Sequence, residues 1–246
     1  MDFKDKQYSY DEILDLPQKI ALEKGKKFIV CIDEFQNVSS YDDSLGFQRK
    51  LRSHWQTHNR VGYCMFGSKR HILLDTFSNY EMPFYKFGDI MFLDKIDEED
   101  WVKFIVSRFA DTGKKISEPV AQLITQKVDC HPYYVQQLSQ LAWLRTKKSC
   151  DASIVDDAFE SLVGQLSLLF SNVDSLTAKQ ISFLQAVAYG EKNFSSRGVL
   201  TKYQLGTSAN IKNLKKAMLD KDLIDVMPDA ISLQDPIFAY WLKEKY

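Results

Sequence analysis

Residues 28–38, FIVCIDEFQNV, contain the pattern from which the fold can be predicted. It opens with five uninterrupted apolar residues, 28–32, and continues with the two acids Asp33 and Glu34. A continuous apolar run of this length predicts a strand of a parallel sheet, buried on both faces. In open α/β sheets ligands gather at the carboxyl ends of the strands. The two carboxylates therefore follow the strand at a point where a binding site is expected.

Two further apolar runs, VGYCMF at 61–66 and IMFL at 90–93, predict a second and a third strand. The residues between the first two runs place Leu51 and Trp55 at helical spacing, and a shorter helical pattern lies between the second and third. Strand, helix, strand, helix, strand is typical of a parallel sheet with crossover helices. The beginning of the chain is therefore predicted to be α/β.

Beyond this region the pattern becomes helical. Four amphipathic helices are predicted, and Pro132 marks a boundary between two of them because proline cannot continue a helix without losing a backbone hydrogen bond. The last 70 or so residues combine three short helices with the apolar segments 223–227 and 230–233, an order typical of a winged helix-turn-helix. The predicted domains are an α/β core over 1–96, a helical lid over 97–173 and a winged helix over 174–246.

Composition narrows the class of protein. The 246 residues carry 32 Lys and Arg against 33 Asp and Glu, and 45% are hydrophobic, which excludes a disordered chain and gives no sign of a strongly basic nucleic-acid binder. The polar N-terminus and the lack of an apolar stretch of about 20 residues argue against secretion and membrane insertion. The four cysteines show no CxxC spacing, and Cys31 and Cys64 lie in apolar runs where we expect them to be buried. A reduced, cytoplasmic protein is predicted.

The residues that follow the first two predicted strands suit phosphoryl chemistry. A carboxylate such as Asp33 can hold Mg²⁺, and a second such as Glu34 can polarise an attacking water, which typically contributes about 10²- to 10⁴-fold in rate. The second run ends at Gly67 and Ser68, whose hydroxyl could reach a phosphate or its water. The alternatives stay open: two acids can simply cap a loop, and Gly-Ser is also a plain turn pair.

Taken together, an apolar strand ending in Asp-Glu, a helix, and an apolar strand ending in Gly-Ser resemble the Walker B and sensor-1 strands of AAA+ and STAND P-loop ATPases. The segments MPFYKFGDIMFLDKI at 82–96, HPYY at 131–134 and DPIFAYWL at 235–242 are similar to those of archaeal-type ATPases of the STAND group. The resemblance covers almost all of the chain. It implies a nucleotide-dependent switch with ATP and Mg²⁺ as ligands.

The resemblance also implies roles for individual residues. Asp33 corresponds to the residue that holds Mg²⁺, Glu34 to the one that activates water, and Ser68 to a sensor of the γ-phosphate. Lys86 is the nearest cation to the position of a family arginine, although a lysine cannot make a bidentate fork to phosphate.

In the lid, Cys130-His131-Pro132 corresponds to the family's Gly-x-Pro beside the adenine. The resemblance thus assigns His131 and Pro132 to nucleotide binding. Cys130 takes the place of the usual glycine, which leaves the backbone less free.

The phosphate cradle of this family has no counterpart in the sequence. No GxxxxGK[ST] occurs in the 246 residues, and the 27 residues before Phe28 contain neither the glycines nor the Lys-Ser/Thr pair. Backbone N–H groups and the lysine of that motif hold the phosphates. We therefore expect this chain to be a fragment or an N-terminally truncated form of a longer protein, and to bind ATP poorly alone.

A second hypothesis is a non-catalytic adaptor that binds DNA or protein through the winged helix. Its predicted recognition helix carries Lys212, Lys215, Lys216 and Lys221 but no arginine, the commonest reader of guanine. A protein partner is therefore favoured over specific DNA binding, and the sequence does not indicate an oligomeric state. His54 and His58 have a zinc-chelating spacing but no evident third ligand.

Overall fold

The computed structural model describes residues 9–167, 173, 175–227 and 230–245. The chain forms two compact units, one up to Phe92 and one from Leu93 onwards. The division into a separate lid and winged helix stays a prediction, and residue 174, where the winged helix was expected to begin, lies outside the described residues.

The elements of the first unit are α1 (Tyr10–Glu23), β1 (Phe28–Ile32), a 3-10 helix (Phe35–Ser40), α2 (Ser44–Trp55), β2 (Val61–Met65) and α3 (Arg70–Ser78). A capping box begins α1: the Ser9 hydroxyl accepts from the backbone N–H of Glu12, and the Glu12 carboxylate accepts from that of Ser9. Gly25, with a φ of +61°, turns the chain between α1 and β1. The capping box and Gly25 thus fix where α1 begins and where the chain turns towards β1.

The two strands pair in parallel, with Phe28 opposite Val61 and Ile32 opposite Met65. The predicted strands at 28–32 and 61–66 are confirmed, the second ending at Met65. The predicted strand at 90–93 is wrong, because this segment has no regular structure and Met91 is 84% exposed. A strand needs a neighbour to pair its N–H and C=O groups, and β1 and β2 pair only with each other among the described residues.

Side chains of β1 alternate between a half-buried and an exposed face. Ile29 is 75% exposed, and Cys31 and Cys64, which lie opposite each other in the register, are both exposed. The expectation of strands buried on both faces, with buried cysteines, is therefore wrong for the described structure. The physical reason is that the residues packed under the sheet all meet the face that carries Ile32 and Tyr63.

An aromatic cluster anchors this covered face. Phe84 is fully buried and packs edge-on against Phe35, with ring centroids 5.4 Å apart, while Trp55 stacks on Tyr63 at 4.3 Å. Burial raises the pKa of Tyr63 to about 12, and its hydroxyl lies 2.7 Å from Nδ1 of His58. The cluster therefore holds the loop after α3 against the sheet.

The second unit begins with a helical part. Its elements are α4 (Glu98–Asp111), β3 (Lys115–Ile116), α5 (Glu118–Lys127), α6 (Pro132–Arg145), β4 (Ser149–Cys150) and α7 (Ala152–Ser167). The four predicted helices are confirmed, and Pro132 occupies the first turn of α6, where its missing N–H costs nothing. The short parallel pair β3–β4 was not predicted.

The C-terminal elements are α8 (Ala178–Ala188), α9 (Arg197–Lys202), α10 (Ser208–Asp220), β5 (Ile224–Val226), β6 (Ile231–Leu233) and α11 (Pro236–Lys245). Strands β5 and β6 pair antiparallel. Helix α11 joins two hydrophobic cores, because Ile237 packs in the core of α4 to α7 and Phe238 in the core of α8 to α10. None of the helices described here is long and apolar enough to cross a membrane.

Replacing Phe84 by Ala should destabilise the first unit by about 3–5 kcal/mol, the usual cost of emptying a buried phenylalanine site. Hydrogen exchange of the β1 and β2 amides measures this locally, as a lower free energy of opening. Tyr80→Ala is the control, because Tyr80 is 77% exposed. A loss no larger than that of the control would contradict the anchoring role of Phe84.

Candidate functional site

The candidate site lies at the carboxyl ends of β1 and β2. The backbone ladder continues one step past both strands: the N–H of Phe66 donates to the carbonyl of Ile32 at 3.1 Å, and that of Phe35 donates to the carbonyl of Phe66 at 3.0 Å. These two bonds hold the residues after β1 beside those after β2. The chain is thereby fixed at the point where the acids follow the strand.

Glu34 and Ser68 meet at this edge. The Ser68 hydroxyl donates to Oε2 of Glu34 at 3.1 Å, although the two residues are 34 positions apart in the chain. Asp33 is exposed, and its Oδ1 accepts from the backbone N–H of Glu34 at 2.8 Å. Glu34 itself has a left-handed backbone, with φ 50° and ψ 43°. The structure therefore brings together the three residues predicted at the strand ends, while their roles stay predictions.

Sequence reasoning missed Gln36. This side chain is only 3% exposed, and its Nε2 donates to the same Oε2 of Glu34 that accepts from Ser68. Its Oε1 is buried and has no hydrogen-bond partner among the described residues. A Cβ on Gly67 would lie 1.8 Å from this Oε1, so any larger residue there would have to displace the Gln36 amide. The glycine before Ser68 was the one sequence signal of such a close approach.

The oxygen atoms at the strand ends suit a hard cation such as Mg²⁺. No group of three or more His, Cys, Asp or Glu residues able to hold a metal ion occurs in the described ranges. Mg²⁺ is usually bound by one or two carboxylates together with phosphate oxygens and water. The exposed Asp33 fits that pattern as a single protein ligand.

Among the described residues, no contact connects Lys86 to Asp33, Glu34 or Ser68. Lys86 lies in a left-handed turn, with a φ of 52°, its N–H donates to the carbonyl of Phe77, and its ammonium group lies 5.2 Å from the centre of the Tyr85 ring. The structure therefore adds no support to Lys86 as a phosphate ligand.

His131 and Pro132 lie in the second unit, at the start of α6. The turn before them contains two consecutive left-handed residues, Asp129 with a φ of 50° and Cys130 with a φ of 52°. Lys95 donates to both the carbonyl and the carboxylate of Asp129 and so secures this turn. Cys130 thus adopts a backbone conformation that glycine favours. Burial raises the pKa of its thiol.

A cavity of about 620 Å³ adjoins this turn and is bordered by His131, Tyr134 and Asp235. Burial lowers the pKa of His131, which favours the neutral ring, and its Nδ1 is buried without a partner among the described residues. Tyr134 donates to Oδ2 of Asp235 at 2.6 Å, while Oδ1 of Asp235 accepts from the N–H groups of Ile237 and Phe238. One carboxylate therefore links α6 to α11.

His54 and His58 form a helix contact. Oδ1 of Asp15 lies 2.6 Å from Nδ1 of His54 and 3.3 Å from Nε2 of His58. The hydrogen bonds with His54 and His58 lower the pKa of Asp15, and the bond with His54 contributes most. The Asp15 carboxylate thus connects α1 to His54 in α2 and to His58 in the turn that follows α2.

Comparison with known proteins places this geometry in a known fold. A family model described as a probable winged helix domain matches residues 169–244. The Walker-type ATPase PABY2304 of Pyrococcus abyssi has a similar structure, with a TM-score of 0.74 and 18% identity over 96% of this chain and 69% of that one. The ORC2 protein of Aeropyrum pernix, solved as ADPNP-ADP complexes, has a TM-score of 0.64 and 16% identity over 97% and 69%. No curated protein matches the sequence.

These matches define the class of fold. The chain shares the mixed α/β fold of these two proteins and carries a C-terminal match to a winged helix model, which confirms the predicted fold class and bears out the suspected resemblance. At 18% and 16% identity, the two structures establish the fold alone.

Replacing Gly67 by Ala should destabilise the first unit by about 1–3 kcal/mol, because the new methyl group overlaps Oε1 of Gln36 and must displace it. Gly62→Ala is the matched control, since its Cβ would meet only Ile29, at 4.0 Å. Amide exchange in β2 would compare the two. Equal stability of both variants would mean that Gln36 does not occupy the space beside Gly67.

Proposed function

We propose that this chain supplies the Walker B strand, sensor-1 strand, lid and winged helix of an ATPase that works as a nucleotide-dependent switch. The observation that carries the proposal is the contact between the Glu34 carboxylate and the Ser68 hydroxyl, at the ends of two adjacent parallel strands. A base and a hydroxyl donor at one strand edge suit a water that attacks a phosphate.

Each residue at this edge has a proposed task. Asp33 would hold Mg²⁺, which neutralises charge on the phosphate oxygens when bound. Glu34 would accept the proton of the attacking water. Ser68 would donate to a γ-phosphate oxygen in place of its present bond to Glu34. The lid residues His131 and Pro132 are proposed to lie beside the adenine of ATP. The role of Lys86 as a phosphate ligand stays a prediction without a supporting contact.

The phosphate cradle is proposed to come from a segment outside these 246 residues. Such a segment would carry a strand, a GxxxxGK[ST] loop and a helix, and it would cover the open face of the sheet. The exposure of Ile29 and the pairing of β1 with a single neighbour among the described residues support this placement. Both proteins of similar structure have chains that extend beyond the matched part.

Glu34→Gln tests the proposed base. With a P-loop segment restored, the variant should keep ATP affinity and lose about 10²- to 10⁴-fold in turnover, because glutamine cannot take the proton of water. Binding is measured by calorimetry and turnover by phosphate release. Glu23→Gln, at an exposed carboxylate of α1, is the control. Hydrolysis that is unchanged in Glu34→Gln would refute the assignment.

A second candidate function is that of an adaptor, with the winged helix as the contact surface. Helix α10 exposes Lys212 and Lys216 and contains no arginine. Lysine binds phosphate as a point charge and reads bases poorly compared with arginine. These features favour contact with a protein over specific recognition of DNA.

The whole chain should therefore bind duplex DNA at most weakly, with no preference for sequence and with affinity that falls steeply as salt rises. Fluorescence anisotropy with a pool of random duplexes, at low and at physiological salt, measures this. The double variant Lys212→Glu, Lys216→Glu should abolish the residual signal. Tight, selective binding at physiological salt would overturn the preference for a protein partner.

A further inference from the structure

Gln36 has features that packing alone does not explain. Glutamine is seldom buried, yet this side chain is almost completely enclosed and leaves Oε1 without a partner among the described residues. A buried polar atom without a hydrogen bond is costly and calls for a reason. The reason lies at the other end of the amide, where Nε2 donates to Oε2 of Glu34.

The neighbouring groups fix the orientation of this amide. Reversing it would turn the amide oxygen towards the carboxylate of Glu34, where two acceptors would repel each other. Gly67 leaves the space that Oε1 occupies. The backbone before Gln36 is held as well, because the N–H of Phe35 donates to the carbonyl of Phe66 across the strand ends and the Phe35 ring packs against Phe84. Gln36 is therefore a rigid donor aimed at one oxygen.

Glu34 needs such a donor. It follows β1 in a left-handed backbone conformation, and its side chain is half-exposed. Ser68, its other hydrogen-bond partner, is exposed on a loop. An exposed hydroxyl restrains a carboxylate less than a buried amide does, so Gln36 is the partner able to set the direction of the Glu34 side chain.

We propose that Gln36 is a positioning residue that holds the Glu34 carboxylate towards the tip of β2. This inference rests on the proposed function for its catalytic consequence, but its structural content can be tested without ATP. Gln36 touches neither nucleotide nor water in the proposal and acts only through Glu34.

The chain contains a matched control in Gln48. This glutamine is also fully buried and also has an Oε1 without a partner among the described residues, but its Nε2 donates to the Ser44 hydroxyl at 3.0 Å. Gln36→Leu and Gln48→Leu therefore remove the same kind of buried amide. The two variants differ in whether the lost hydrogen bond went to Glu34.

The first measurement is an NMR spectrum of the full chain without nucleotide. The side-chain NH₂ resonances of Gln36 should shift in Glu34→Ala, which removes their acceptor, and those of Gln48 should stay in place. Asp33→Asn, which changes the neighbouring acid and keeps this acceptor, should leave the Gln36 resonances in place. Gln36 resonances that are unchanged in Glu34→Ala would overturn the proposal.

The second measurement uses the ATPase with its P-loop segment restored. Gln36→Leu should lower kcat tenfold or more and leave KM unchanged, whereas Gln48→Leu should change neither. A Gln36→Leu enzyme with normal kcat, beside an inactive Glu34→Gln enzyme, would refute the positioning role and leave the proposed function standing. A shift of the Gln36 resonances in Glu34→Ala together with full activity of Glu34→Gln would instead refute the proposed function and leave the contact standing.

Discussion

The parallel register of β1 and β2 is the constraint on which the candidate site depends. Pairing Ile32 with Met65 brings the residues after each strand to the same edge, and a slip of one position would turn every side chain of a strand to the opposite face. The stack of Trp55 on Tyr63 resists such a slip, because it ties α2 to the covered face of β2. The contact between Glu34 and Ser68 therefore depends on the packing of α2 against the covered face of β2, because that packing fixes the register.

Much of this arrangement could be predicted from sequence, because the polar residues of the candidate site directly follow the two apolar runs that form the strands. Apolar runs located both strands, and the polar residues after them located the edge. The same reasoning failed for 90–93 and for the burial of Cys31 and Cys64. Apolar character shows that a residue favours burial, but it does not reveal whether the covering surface lies within the same stretch of chain. Ile29 is an example, because it is apolar and yet exposed on the sheet.

Gln36 illustrates a second limit. No periodicity or motif predicts a buried glutamine, since the space for its amide depends on the missing side chain of Gly67, 31 residues further along the chain. The left-handed backbones of Glu34 and Cys130 are similar cases: neither residue type suggests that conformation, and the surrounding hydrogen bonds impose it. Both lie at positions where the resemblance to ATPases implies function, which is where local rules are most often broken.

Within the second unit, a set of contacts connects the turn before α6 to the C-terminal helix α11. Asp235 uses one oxygen to cap α11 and the other to accept from Tyr134, three residues after His131. Moving α6 at this turn would therefore pull on the first turn of α11, whose residues Ile237 and Phe238 lie in different hydrophobic cores. Because packed cores resist gradual deformation, such a pull favours a concerted shift of α11. In the proposed switch, a nucleotide bound beside His131 would therefore act on the winged helix through the Asp235 carboxylate and α11.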